Sequence, residues 1–145
     1  MVYQAIKNAG YKPVFIDIAS GELQYEVPEL AAACKQYPDI KAIVIQNTLG
    51  YPVDMPAFKA YCQKNGIMIV EDLAHSIGAV YSDGNEVGMV GDFTMMSFSQ
   101  DKPLDAVAGG ALIDRRTQPS TDKLKLKPVS YWQQLKLRFY PFWTY

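Results

Sequence analysis

"IKAIVIQNTLGYPVDMPAFKAYCQKNGIMIVED", residues 40–72, holds two aliphatic runs separated by an amphipathic stretch. "IKAIVIQN" (40–47) is a continuous apolar run of the kind found in strands covered on both faces. "MPAFKAYCQKNG" reads as a helix, with Pro56 in its first turn and Gly66 closing it. "IMIVED" is a second apolar strand. Strand, helix, strand in that order argues for a parallel pair joined by a helical crossover.

Working outward, "VYQAIKNAG" places Val2, Ala5, Ile6 and Ala9 at helical spacing, and Gly10 fits a C-terminal cap. "KPVFIDI" reads as a short strand ending at Asp17, and "VPELAAACKQY" as a helix that stops before Pro38. Downstream, "FTMMSFS" and "GGALIDR" are two shorter strands bounded by Gly and Asp. The expectation is an α/β fold with a mainly parallel sheet flanked by helices. Ligands of such sheets bind beyond the carboxyl ends of the strands. Gln46-Asn47, Glu71-Asp72 and Ser97 all fall at those ends.

The composition is that of one globular domain: 145 residues, 49% apolar and 20% charged. With 14 basic and 15 acidic residues, the summed charge favours neither nucleic acid nor an anionic surface. Cys34 and Cys62 lie in separate helices without metal-ligand spacing and read as small buried residues of a reducing compartment. The opening residues lack the basic start and apolar core of a signal peptide. No apolar run approaches the roughly 20 residues that span a bilayer. A cytoplasmic protein without a membrane span is expected. From about residue 115 the character changes. "RRTQPSTDKLKLKP" is a polar, basic loop, and "VSYWQQLKLRFYPFWTY" is aromatic-rich and helical until Pro141. So many large apolar groups expect either a partner surface or a place on the same domain.

Two readings are open for Asp72. A carboxylate at a strand end can anchor a cationic ligand group such as a protonated pyridine nitrogen, or it can cap a helix begun by "LAHSIG". His75, three residues on, can face the same site, where it would hydrogen-bond or stack on a flat ring, or it can be a structural histidine. Ser97 and Lys102 flank an irregular segment, and Gly109-Gly110 opens the next strand. A lysine amine can form a Schiff base with a carbonyl compound, and a serine hydroxyl suits a phosphate oxygen. Taken alone, Lys102 reads as a solvated loop lysine and the two glycines as a tight turn.

Several ordered blocks together resemble the DegT/DnrJ/EryC1/StrS family of pyridoxal-phosphate-dependent sugar aminotransferases, over about residues 2–114. "AGYKPVFIDI" is similar to the family's helix, Gly and Asp-terminated strand. "IVIQNTLGYPVDMPAFKAYCQKNGIMIVEDLAHSIGAVY" resembles its strand, Gly-x-Pro-x-Asp-Met segment, helix and Glu-Asp-x-Ala-(Gln/His)-x-x-Gly-Ala stretch. "GNEVGMVGDFTMMSFSQDKPL" and "AGGALI" match its Gly-Asp, Ser-Phe-x-x-x-Lys-x-Leu and Gly-Gly blocks.

The resemblance implies the aspartate-aminotransferase-like (fold type I) large domain and the cofactor pyridoxal 5'-phosphate. It assigns Lys102 as the catalytic lysine that holds the cofactor aldehyde and shuttles a proton. Asp72 would pair with the pyridine nitrogen, His75 would lie beside the ring, and Ser97 would bind the phosphate. No role follows for Glu71, whose side chain should point away from Asp72. The implied reaction takes an amino group from a donor, in many relatives glutamate, and passes it to a nucleotide-linked keto-sugar for glycan biosynthesis. A homodimer is implied for the full-length parent. Residues 1–115 are expected to be a partial large domain truncated at both ends, with 116–145 as a basic loop and aromatic-rich C-terminal segment. Two rival expectations are an inactive remnant serving as an interaction module and a sugar dehydratase of the same family. In the dehydratases histidine replaces the lysine.

Overall fold

The computed structural model describes residues 2–100, 102–116 and 128–143. Most of the expected basic loop, residues 117–127, lies outside the described residues.

Helix α1 (Val2–Asn8) is followed by an extended segment, then α2 (Val27–Gln36), strand β1 (Ala42–Gln46), a single 3-10 turn (Thr48–Gly50) and α3 (Met55–Asn65). Strands β2 (Met68–Asp72), β3 (Phe93–Ser97) and β4 (Gly110–Asp114) come next, and α4 (Tyr131–Trp143) closes the described chain. The sheet order is β1-β2-β3-β4. β1, β2 and β3 run parallel, and β4 returns antiparallel beside β3. The mainly parallel sheet expected from the sequence is thus a mixed sheet of four strands.

Local signals explain where the crossover helices start and stop. In α2, Glu26 and Glu29 form a reciprocal capping box with Pro28 in the first turn. In α3, the Asp54 side chain accepts from the Ala57 amide at 3.2 Å, and Gly66 ends the helix in the left-handed conformation at φ 65°. A non-glycine residue is disfavoured at such a φ.

α2 and α3 bury one face of the sheet. Leu30, Met55, Phe58 and Cys62 pack with Ile43, Ile45 and Ile69, and Leu73, Tyr81 and Val87 extend the same core. The coverage of both faces expected from the aliphatic runs is therefore corrected. On the second face Val44 and Val70 are half-buried, while Met68 and Leu112 stay exposed. Among the described residues no helix packs against that side.

A second correction concerns "KPVFIDI". Residues 12–18 join no ladder, and Phe15 is 78% exposed. A strand needs a hydrogen-bonded neighbour, and the ladder of the described residues ends at β1. The segment instead borders a groove of about 450 Å³ beside α2, lined by Lys12, Phe15, Glu29, Ala33 and Tyr37 among others.

Candidate functional site

The register brings the ends of β2 and β3 together: Gln46 pairs with Asp72, and Asp72 with Met95. Side chains alternate across a strand, so Asp72 and Ser97 share the sparsely covered face while Glu71 and Thr94 turn into the core. This alternation resolves the pair of adjacent carboxylates. Glu71 is fully buried and accepts from the Tyr81 hydroxyl at 2.7 Å, the Gly88 amide at 2.6 Å, the Val90 amide at 2.9 Å and the Gly91 amide. A buried carboxylate is tolerated when donors replace its water, and here four do.

The network continues outward. Asn47 Nδ2 donates to Tyr81 Oη at 3.0 Å, and Asn47 Oδ1 accepts from the Val53 amide. Thr94 Oγ1 donates to the Gly88 carbonyl and accepts from Arg115 Nη1, each at 2.6 Å. Burial, reinforced by Glu71, pushes the Tyr81 hydroxyl well above the usual tyrosine range. These hydrogen bonds join the ends of β1 and β2 to β3, the residue after β4, and the 88–91 turn. Gly88 has φ +93°, and a Cβ there would lie 2.5 Å from Leu73 Cδ2, so only glycine fits. Sequence reading left Asn47, Tyr81, Thr94 and Arg115 unassigned. The available signal was Glu71 itself, a charge in an apolar strand that has to find donors.

Asp72, 7% exposed, accepts one hydrogen bond among the described residues, from the Ala74 amide at 3.0 Å. The helix that would make this a cap does not form. Residues 74–78 are a run of turns, and Asp72 closes a short Asx-type turn. His75 is exposed on that run, and its Nε2 lies 3.1 Å from Lys102 Nζ. Ser76, beside it, is buried with no hydrogen-bond partner for Oγ among the described residues.

Lys102 is half-buried in the connection between β3 and β4. The base of this loop is closed by the Phe98 amide donating to Gly109 at 3.0 Å and the Ala106 amide donating to Phe98 at 2.9 Å. Ser97 Oγ and Ser99 Oγ lie 3.0 Å apart at its start. Gly110 pairs with Ser97, and a Cβ on it would stand 2.5 Å from the Met96 carbonyl oxygen, so the Gly-Gly block permits close backbone approach. Of the four residues expected at the site, His75 and Lys102 are in direct contact. Asp72 and Ser97 occupy neighbouring strand ends on one sheet face. None of the four lines the 450 Å³ groove.

Known proteins share this arrangement of elements. The chain is 33% identical over 131 residues to UDP-N-acetyl-3-dehydro-alpha-D-glucosamine 3-aminotransferase of Acidithiobacillus ferrooxidans, covering 90% of this chain and 35% of the relative. It is 31% identical over 118 residues to UDP-4-amino-4,6-dideoxy-N-acetyl-beta-L-altrosamine transaminase of Campylobacter jejuni, covering 81% of this chain and 31% of the relative. The chain thus spans about a third of the length of these curated relatives. The crystal structure of an aminotransferase from Psychrobacter cryohalolentis superposes with a TM-score of 0.69 at 30% identity, covering 77% of this chain and 27% of that one. The profile of the DegT/DnrJ/EryC1/StrS aminotransferase family matches residues 2–128, most of the sequence. The chain belongs to that family.

Proposed function

We propose that this protein is a pyridoxal-phosphate-dependent aminotransferase acting on a nucleotide-linked keto-sugar, with Lys102, Asp72, His75 and Ser97 holding the cofactor. The observation that carries this reading is the 3.1 Å approach of Lys102 Nζ to His75 Nε2, at the sheet edge where Asp72 and Ser97 also end their strands. The donor set fits the group. Asp72 spends one hydrogen bond on backbone and keeps acceptor capacity for a cationic ring nitrogen. Lys102 brings an amine for an aldehyde, and the Ser97–Ser99 hydroxyl pair suits phosphate oxygens.

When bound, the cofactor supplies an electron sink for carbanion chemistry. The chain's own residues do the rest. Lys102 Nζ would hold the cofactor aldehyde and would carry a proton to and from the substrate carbon, with an amino donor such as glutamate expected. Asp72 favours the protonated ring nitrogen by opposite charge. His75 would orient Lys102 through their 3.1 Å contact and would serve as a neighbour of the ring. The sugar class is supported by the two curated relatives, whose names specify UDP-linked amino sugars. Lys102 stands against the dehydratase alternative.

The test is trapping. Pyridoxal phosphate followed by borohydride should fix a phosphopyridoxyl group on Lys102, identified by peptide mass. Lys102→Ala should abolish it. An unchanged adduct in that variant would refute the assignment of Lys102, and absence of any adduct in the parent chain would refute cofactor binding by this chain.

A further inference from the structure

The near-neutral total charge hides a strong asymmetry. From Arg115 to Tyr145 the sequence carries seven basic residues against one acidic. The preceding 114 residues hold the other seven basic residues against fourteen acidic. The basic part contains α4, whose large side chains are on show: Tyr131 is 71% exposed, Trp132 75%, Phe139 50% and Phe142 79%.

Helical geometry sorts these residues. At 3.6 residues per turn, Tyr131, Phe142, Leu135, Phe139 and Trp132 fall in that angular order within an arc of about 100°. Arg138 borders the arc beyond Tyr131, and Lys136 borders it beyond Trp132; both are exposed. On the opposite side, Leu137 and Tyr140 are half-buried, and the Tyr140 hydroxyl donates to Gln100 Oε1 in the lysine loop. Tyr140 thus ties α4 to the lysine loop, and the other side presents an aromatic stripe, with Leu135 half-buried at its centre and a cation on each flank. The pairing of an aromatic stripe with a cation on each flank is complementary to an anionic lipid surface: the aromatics enter the headgroup boundary while Lys and Arg stems reach back to anionic headgroups. At about 1.5 Å per residue the 13 residues of α4 reach about 20 Å, and no helix among the described residues is long and apolar enough to cross a membrane.

We propose that α4 is an interfacial anchor that docks the protein on an anionic membrane surface through Trp132, Leu135, Phe139 and Phe142, flanked by Lys136 and Arg138. This inference does not depend on the role of Lys102.

Co-sedimentation with vesicles tests it, using phosphatidylcholine alone and phosphatidylcholine mixed with phosphatidylglycerol. A Trp143→Phe chain lets Trp132 fluorescence report insertion. The expected result is at least tenfold tighter binding to the anionic vesicles, weakened by added salt, with a blue shift of Trp132. Phe139→Asp with Phe142→Asp should abolish binding, and Lys136→Glu with Arg138→Glu should remove the preference for anionic lipid. All four side chains are exposed, and an unchanged far-UV circular dichroism spectrum confirms the fold. Lys102→Ala should bind vesicles like the parent chain. Equal partition into both vesicle types, no partition, or a blue-shifted Trp132 in a lipid-free dimer that the Phe139/Phe142 variant dissolves would each overturn the proposal.

Discussion

Glu71 and Tyr81 share a 2.7 Å hydrogen bond in the core, with the carboxylate also taking the amides of Gly88, Val90 and Gly91. The two residues carry unequal weight. Glu71→Gln sets an amide NH₂ against backbone donors and should cost about 2–4 kcal/mol, since hydrogen bonds to a buried charge are each substantial. Tyr81→Phe leaves three amide donors in place and should cost about 1–2 kcal/mol. Urea denaturation midpoints should rank the parent above Tyr81→Phe, and Tyr81→Phe above Glu71→Gln. Equal midpoints would remove the network's structural role.

Cys62 gives the protein an alkaline limit. Burial first, then the Cys34 thiol and Asp92, pushes its thiol from 9.0 up to about 11. Its folded value is raised, so folding favours the protonated form. This contribution is fully present below pH 9, where the unfolded thiol begins to ionise. It is lost as the pH climbs to about 11, by roughly 2–3 kcal/mol. Tyr25 and Tyr81, both raised by burial, extend the fall above pH 10. Denaturation midpoints across pH 7–11 should show the decline, and Cys62→Ala should delay its onset to about pH 10. Iodoacetamide at pH 8 should label half-buried Cys34 before Cys62.

Ser76 buries a hydroxyl with no partner among the described residues. Ser76→Ala removes an unsatisfied polar group and should leave stability unchanged or raise it by about 1 kcal/mol. A thermal midpoint lowered by several degrees would show that the hydroxyl has a partner.

Gly110 pairs with Ser97 across the β3–β4 ladder, where an added Cβ would meet the Met96 carbonyl oxygen at 2.5 Å. Gly110→Ala should therefore cost about 1–3 kcal/mol by forcing the strands apart. It should also weaken cofactor trapping on Lys102, because Ser97 is its ladder partner. Retention of both stability and trapping would show that the strand pair yields at no cost.

The local parts of this fold were legible in the sequence. Pro56 and Gly66 bound α3, Pro38 follows α2, and the two aliphatic runs became paired strands, because each signal acts over a few residues. Long-range pairing was less visible. Residues 12–18 read as a strand by composition but find no neighbour, and no local pattern records a missing neighbour. The Asn47–Tyr81 bond spans 34 residues and the Lys102–His75 contact 27, so spacing alone could list these side chains but not join them. Asp72 was ambiguous between cap and ligand anchor, and the turns at 74–78 satisfy part of the first reading without forming its helix.

The reversal at β4 separates the lysine from the carboxylate in mechanical terms. Asp72 sits on a strand held on both sides, so exposing it requires dismantling the sheet. Lys102 rides on residues 98–109, a hairpin connection fastened near its base by two backbone hydrogen bonds to Phe98 and Gly109. With fewer ladder bonds than the parallel strands, this connection is expected to yield before they do. Amide exchange should accordingly be fast through the hairpin tip and slow at Asp72, dividing the proposed site between a rigid half and a yielding half.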